Sequence, residues 1–206
     1  DEKEHYVWQT SWGISTRLIG AVVMVHGDDK GLVVPPKVAP VQVVIVPIPY
    51  KHADSSAILA KAKEILEKLR EKGMTAVLDD RAEYTPGWKF NQWELKGVPI
   101  RIEIGPRDLK QKQVTVARRD TYEKTTVKEE EAINAVERLL GEIQNNLYAK
   151  AKRLLEEKIT TVQSYGEFKK TLKKKGGFIK ASWCGDSDCE RQIKDETGAT
   201  IRLISS

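Results

Sequence analysis

The stretch SWGISTR, from Ser11 to Arg17, sets an arginine behind a tryptophan, a glycine and two hydroxyls. A guanidinium on a strand presents a flat cation that can stack on an adenine ring or contact phosphate. Gly13 would let a ligand approach the backbone. The plainer reading is a surface arginine paired with Asp28 or Asp29. A second candidate is the C-x4-C pair Cys184 and Cys189, the two cysteines of the chain. In a reducing compartment such a pair reads as half of a metal site rather than as a disulfide. A third is the segment from Leu147 to Lys175, with nine Lys and Arg against three Glu. Its net +6 exceeds the +5 of the whole 206-residue chain. Concentrated positive charge of this kind suits phosphate binding; a solvated helix face is the alternative.

These residues need a scaffold, and the sequence describes one. The length suits one large domain or two small ones. A composition 40% hydrophobic and 32% charged is that of a soluble globular chain with a core. The apolar run from Val41 to Ile48 is too short to cross a membrane. No signal segment opens the chain, so a cytoplasmic location is expected. Residues 1–36 read as strand, turn, strand, interrupted by Gly27, Gly31 and Pro35-Pro36, with a domain boundary near 36–40. VQVVIVPI then reads as a buried strand. A helix follows, capped by Asp54 or Ser55, with Ile58, Leu59, Ala62, Ile65, Leu66 and Leu69 on one face and Gly73 as its stop. TAVLD reads as a strand and GWKFNQWEL as a short helix. VPIRIEI reads as a strand with Arg101 and Glu103 opposite Ile100, Ile102 and Ile104; QVTVAR reads as another. From Glu129 a long helix buries Ile133, Val136, Leu140, Ile143 and Leu147 and runs to about Glu157. This order gives a layered α/β domain. The tail differs. Ser164 and Glu167 form a capping box, GGFIKASW reads as a strand leading into CGDSDC, and GATIRLI reads as a last strand.

Three stretches, in this order along the chain, carry a resemblance. TSWGISTRLIGAVVMVHGDDKGLVVPPKVAPVQVVIVPI resembles the prolyl-tRNA synthetases at the third signature motif of class II synthetases. DDRAEYTPGWKFNQWELKGVPIRIEIGPRDL is similar to that family's anticodon-binding domain. WCGDSDCE is similar to the start of the zinc-binding C-terminal domain of its archaeal/eukaryotic-like branch. The resemblance implies an α/β chain in three parts. Residues 1–38 would end an antiparallel catalytic sheet, 39–147 would form an anticodon-binding domain with a mixed sheet, and 148–206 would form a basic linker and a small α+β zinc-type domain. It implies ligation of proline to its tRNA through prolyl-adenylate, with ATP and Mg²⁺. The alternative is a non-catalytic tRNA-binding module derived from such an enzyme.

Carried over by position, Arg17 would be the catalytic arginine that holds ATP, with Ser15 and Thr16 beside it. Trp12 and Gly13 would line the proline and adenylate pocket. Adenylate formation depends on positioning and on neutralising charge at phosphorus, which suits Arg and Mg²⁺. His26 reads as structural rather than as a base. Glu94, Arg101 and Lys124 match anticodon-reading positions. Arg can bond guanine O6 and N7 together, Glu can accept from N1 and N2, and unstacked loop bases present those edges. For Glu94 the alternative is an ion pair with Lys96 or Arg101. Trp88 and Trp93 would stack on bases or pack the core. A closed zinc site takes four ligands, and Cys184 and Cys189 supply two; His5, His26 and His52 are remote in sequence. The partners implied are tRNA with a proline anticodon, proline and ATP, in a homodimer and away from membranes. Motifs one and two of the class lie outside this sequence. The 206-residue chain alone is therefore expected to show no proline-dependent ATP–pyrophosphate exchange, whereas the enzyme containing it should.

Overall fold

A computed structural model describes residues 7–49 and 55–204 of the chain. Asp54, one of the two expected helix caps, His5 and His52 lie outside the described residues. The chain divides into two compact units, Asp1–Ala149 and Lys150–Ser206.

The first unit is built on a mixed five-stranded sheet. Its strands are β1 (Val43–Pro47), β2 (Ala76–Leu78), β3 (Ile100–Ile104), β4 (Gln113–Arg118) and β5 (Lys124–Lys128), in the order β2-β1-β3-β4-β5. β1 pairs in parallel with β2 and β3; β3–β4 and β4–β5 are antiparallel. Parallel neighbours require a crossover, and two helices supply it. Helix α2 (Ser55–Glu71) links β1 to β2, and α3 (Pro86–Leu95) links β2 to β3. The chain reverses direction across β1, so right-handed crossovers put these two helices on opposite faces.

Alternation along the strands then decides what each face meets. Val43, Ile45, Ile100, Ile102, Ile104, Val114 and Val116 point to one side. There they pack on Ile58, Ala62, Ile65 and Leu69 of α2 and on Val136, Leu140, Ile143 and Leu147 of the long helix α5 (Ala132–Lys158). The other face is narrower: Val44 and Val46 meet Val98, Val41, Phe90 and Trp93 under α3. Arg101 and Glu103 share that face, and α3 covers them, so a strand that reads as half-exposed is buried along its whole length.

Local signals fix the ends of the elements. Gly73, at φ +79°, ends α2 with Met74 N–H donating to the Leu69 carbonyl and Gly73 N–H to that of Arg70, a Schellman arrangement. Thr85 caps α3 by accepting from the Trp88 N–H, with Pro86 in the first turn. Short helix α4 (Pro106–Gln111), which precedes β4, and β5, which completes a hairpin whose turn carries Tyr122 at φ +63°, escape the sequence reading.

The amino-terminal stretch differs most from expectation. Residues 1–36 read as strand, turn, strand, but Arg17–His26 form helix α1. Its ten residues are apolar at almost every position, a pattern in which helix and buried strand look alike. A strand also needs a neighbour for its N–H and C=O groups, whereas a helix bonds its own. Among described residues 7–41 the sole pairing of strand type is a bridge between Asp28 and Gly31. Among the described residues 7–38, no strand of the antiparallel catalytic sheet expected in 1–38 is present. Beyond α1, the chain lies across the end of α3, with Leu32 N–H donating to Leu95 O and Val34 N–H to Gly97 O. A Cβ on Gly97, at φ +72°, would come within 2.6 Å of the Leu32 carbonyl, and one on Gly31 within 2.7 Å of the Leu95 backbone.

In the second unit, β6 (Ile159–Thr161) pairs in parallel with β7 (Phe178–Lys180), joined through α6 (Tyr165–Lys174). Ser164 caps α6 by accepting from the Glu167 N–H, and the Glu167 carboxylate turns back to the Gln163 N–H. Helix α7 (Ser187–Thr197) follows, capped by Asp186 and ended by Gly198. GATIRLI is not a strand: residues 199–204 have no regular structure. Leu203 and Ile204 stay exposed, and among the described residues the small sheet consists of β6 and β7.

Gly97→Ala is expected to destabilise the chain by roughly 2–4 kcal/mol, the range for overpacking combined with left-handed strain. A shift of the urea midpoint measures it.

Candidate nucleic-acid interface

Glu94, Arg101 and Lys124, taken from three separate elements, converge on the α3 side of the sheet. Arg101 lies opposite Ala117 on β4, and Ala117 lies opposite Lys124 on β5, so the two cations flank one small residue. Arg101 Nη1 donates to Glu94 Oε1 at 2.9 Å, and Arg101 Nε and Nη2 both reach Glu103 Oε1 at 3.0 Å. Lys124 Nζ crosses diagonally to Glu103, 2.8 and 3.0 Å from its two oxygens. The guanidinium lies 4.1 Å from the centroid of the Phe90 ring, one helical turn before Glu94. Arg101 and Glu103 are buried; Lys124 is half in solvent.

The ion pair between Glu94 and Arg101 considered from sequence is therefore present. It does not compete with a binding role. Guanine offers acceptors at O6 and N7 and donors at N1 and N2, so one base can satisfy both members of the pair. Trp93 is a packing residue: its ring joins the apolar cluster with Val44 and Val46, and its Nε1–H donates to Asp79 Oδ2 at 2.7 Å. Trp88 stacks on Tyr84 at 3.8 Å between centroids and remains partly exposed.

Glu94, Arg101, Lys124 and Trp93 line a cavity of about 210 Å³ that continues to Arg118, Arg119, Tyr122 and Lys30. Arg119 is buried and grips Asp28 with both terminal nitrogens at 2.7 Å, while its Nε donates to the Glu94 carbonyl at 2.9 Å. Tyr122 donates to Asp28 at 2.5 Å. Arg119 above all holds the Asp28 carboxyl far below the usual carboxylate range. Asp28 is thus committed to Arg119, and the pairing of Arg17 with Asp28 does not occur.

A buried carboxylate, Asp79, braces α3. Arg81 binds it with two hydrogen bonds of 2.8 Å, Trp93 adds a third, and Lys89 Nζ bonds the Asp79 carbonyl at 3.1 Å. The Arg81 hydrogen bonds lead in pulling the Asp79 carboxyl from 3.8 down to about 2, against the opposing effect of burial.

The residues matched to an ATP and proline site are arranged differently. Arg17 sits in the first turn of α1 rather than on a strand, with its N–H 3.4 Å from Ser15 Oγ. Ser15, Thr16 and Trp12 are exposed, and a Cβ on Gly13 would have no atom within 4 Å. His26 stands in the last turn of α1.

Cys184 and Cys189 are free thiols, and the hydrogen bond to Cys184 leads in pushing the Cys189 thiol up. Among the described residues, no group of three or more His, Cys, Asp or Glu could hold a metal. Two thiols do not make a closed zinc site, which needs four ligands.

Sequence reasoning did not single out Glu103, Phe90, Arg119 or Asp79 as shaping the site. Two of them left a readable signal. Glu103 is two residues from Arg101 on one strand and must share its face; Phe90 is four before Glu94 on one helix. The Arg119–Asp28 pair, 91 residues apart, left none.

A mixed sheet that gathers cations, an acceptor and an aromatic face around one cavity has the equipment of an RNA-reading domain. Residues 42–139 match the family described as "Anticodon binding domain". Residues 165–206 match "Prolyl-tRNA synthetase, C-terminal". The chain is 52% identical over 205 residues to a proline–tRNA ligase of Natranaerobius thermophilus, covering 99% of this chain and 42% of that protein. It is 49% identical over 204 residues to one of Cenarchaeum symbiosum, covering 99% and 43%. The chain is a homologue of part of the proline–tRNA ligases, spanning about two fifths of the length of these curated relatives.

Asp79 makes stability depend on pH. Its lowered value means that its contribution is complete above about 4 and is lost as pH falls through about 2. Asp79→Asn is expected to be less stable at pH 7 but to lose less between pH 4 and pH 2 than the parent chain, read from urea midpoints across that range.

Proposed function

We propose that the chain is the part of a proline–tRNA ligase that reads the tRNA anticodon and contributes one wall of the ATP site. The observation that carries this reading is the meeting of Glu94, Arg101 and Lys124 around one cavity. A proline anticodon holds two adjacent guanines. Arg101 presents its donors to O6 and N7 of one guanine, and Glu94 accepts from N1 and N2. Lys124, half in solvent, supplies a further donor, and Phe90 backs the guanidinium. Binding exchanges one set of partners for another, so the buried charges are never left bare. A base without these groups breaks the Glu94–Arg101 pair and repairs nothing, and that cost is the source of discrimination.

In the complete enzyme, Arg17 would neutralise ATP phosphate charge, with Ser15 and Thr16 beside it and Trp12 and Gly13 against proline and its adenylate. Bound Mg²⁺ would supply further charge neutralisation at phosphorus; no residue of this chain is assigned to it. The exposed apolar side chains of this region support that role. Trp12, Ile14, Leu18, Ile19 and Met24 are each more than half exposed, an unusual load for a surface that faces water alone. The same exposure favours an enzyme over a free-standing tRNA-binding module. No helix among the described residues is long and apolar enough to cross a membrane, and a cytoplasmic location accords with the proposed role.

The test is binding of the chain, at fixed salt, to tRNA with a proline anticodon and to the same tRNA with both anticodon guanines replaced. Replacement is expected to weaken binding by about 1–3 kcal/mol for each bidentate pairing it removes. Arg101→Ala should erase the difference while the chain stays folded. Equal binding of both tRNAs by the unaltered chain would overturn the anticodon reading. In the complete enzyme, Arg17→Ala should lower proline-dependent ATP–pyrophosphate exchange about 10²-fold or more, with tRNA affinity unchanged.

A further inference from the structure

The cavity beneath α3 is lined by five cations, Lys30, Arg101, Arg118, Arg119 and Lys124. Four of them are committed to carboxylates. Arg101 is held by Glu94 and Glu103, Lys124 by Glu103, Arg118 by Asp120 and Glu142, and Arg119 by Asp28. Lys30 differs. Among the described residues its ammonium has no carboxylate within 4.0 Å; it lies 4.1 Å from the centroid of the Tyr122 ring instead. That ring is fixed from three sides. Its hydroxyl bonds Asp28, Arg119 bonds the same hydroxyl at 2.7 Å, and its backbone turns through φ +63°. The Lys30 N–H in turn donates to Asp28 Oδ1 at 2.9 Å, so the backbone carrying the lysine is anchored to the same cluster. Asp29, next in the chain, is exposed and is not part of the cavity lining.

An exposed ammonium on an aromatic face, at the rim of a cavity whose other cations are neutralised, is placed to meet an anion from outside. We infer that Lys30 is a phosphate-binding residue of the RNA site, contacting the backbone beside the guanine that Arg101 reads. The inference rests on the anticodon reading proposed above. It extends that site beyond residues 42–139, the stretch matched by the anticodon-binding family, to the turn that follows α1. Arg101 reads a base edge and Lys30 reads charge, so the two act differently. A phosphate contact positions the strand and carries no sequence information.

The experiment measures affinity of the 206-residue chain for tRNA with a proline anticodon, and for its guanine-replaced form, across a salt series. Lys30→Ala should weaken binding of both RNAs several-fold and by the same factor. It should also reduce the slope of log affinity against log salt by about 0.7, the release of one counterion from a single strand. Lys30→Arg should restore both values. Lys110→Ala removes an exposed lysine of α4 outside the cavity and should change neither. The inference is overturned if Lys30→Ala leaves slope and affinity unchanged, or if Lys110→Ala reproduces its effect. Guanine discrimination by the unaltered chain separates the two failures. If discrimination is present and Lys30 is silent, this inference alone falls; if discrimination is absent, the anticodon reading falls with it.

Discussion

Burying the guanidinium of Arg101 under α3 is the constraint around which the polar face of the sheet is organised. A cation that leaves water loses far more than any single hydrogen bond returns, so its surroundings must replace hydration on several sides. Glu103 takes the Nε edge, Glu94 takes Nη1, and Phe90 covers the flat face. Glu103 is itself buried and needs a second cation for its other oxygen; Lys124 supplies it from the far strand of the hairpin. The position of α3, the alternation of β3 and the start of β5 are therefore parts of one electrostatic solution. Glu103 belongs to both pairs, so its removal would leave the buried Arg101 with Glu94 alone and Lys124 without its carboxylate.

The same logic ties the amino-terminal segment to this face. Arg119 is buried because Asp28 receives it with two hydrogen bonds, and its remaining nitrogen holds the carbonyl of Glu94. One side chain thus spans the turn after α1, the end of α3 and the β4–β5 hairpin. The glycines at 31 and 97 permit the close backbone approach that brings Asp28 within reach. Long-range ion pairs of this kind fix geometry more than they add stability, and here they fix the walls of a cavity.

Much of this was legible in the sequence, and the limits have physical causes. Period 3.6 in α2 and α5 and period 2 in β3 are local patterns, and both survive in the structure. Gly73 and Ser164 act within a few residues, as caps do. The three residues matched to anticodon reading meet because helix, strand and hairpin each deliver one of them to the same face. What escaped was of two kinds. An all-apolar run such as LIGAVVMV carries no period, so α1 could not be told from a strand. Burial of Arg101 and Glu103 depends on a helix that packs over them from elsewhere in the chain, and alternation alone reads such residues as facing water. The pairing of Asp28 with Arg119 belongs to this second kind.

Ala117 sits between Arg101 and Lys124 in the register of the sheet, and it is the smallest side chain in that row. The opening exists because nothing fills the space above its methyl group. Room in this site therefore depends in part on a residue that carries no charge. A bulkier aliphatic at 117 would narrow the door without altering a single ionisable group, so how much the site admits can change while what it prefers stays the same.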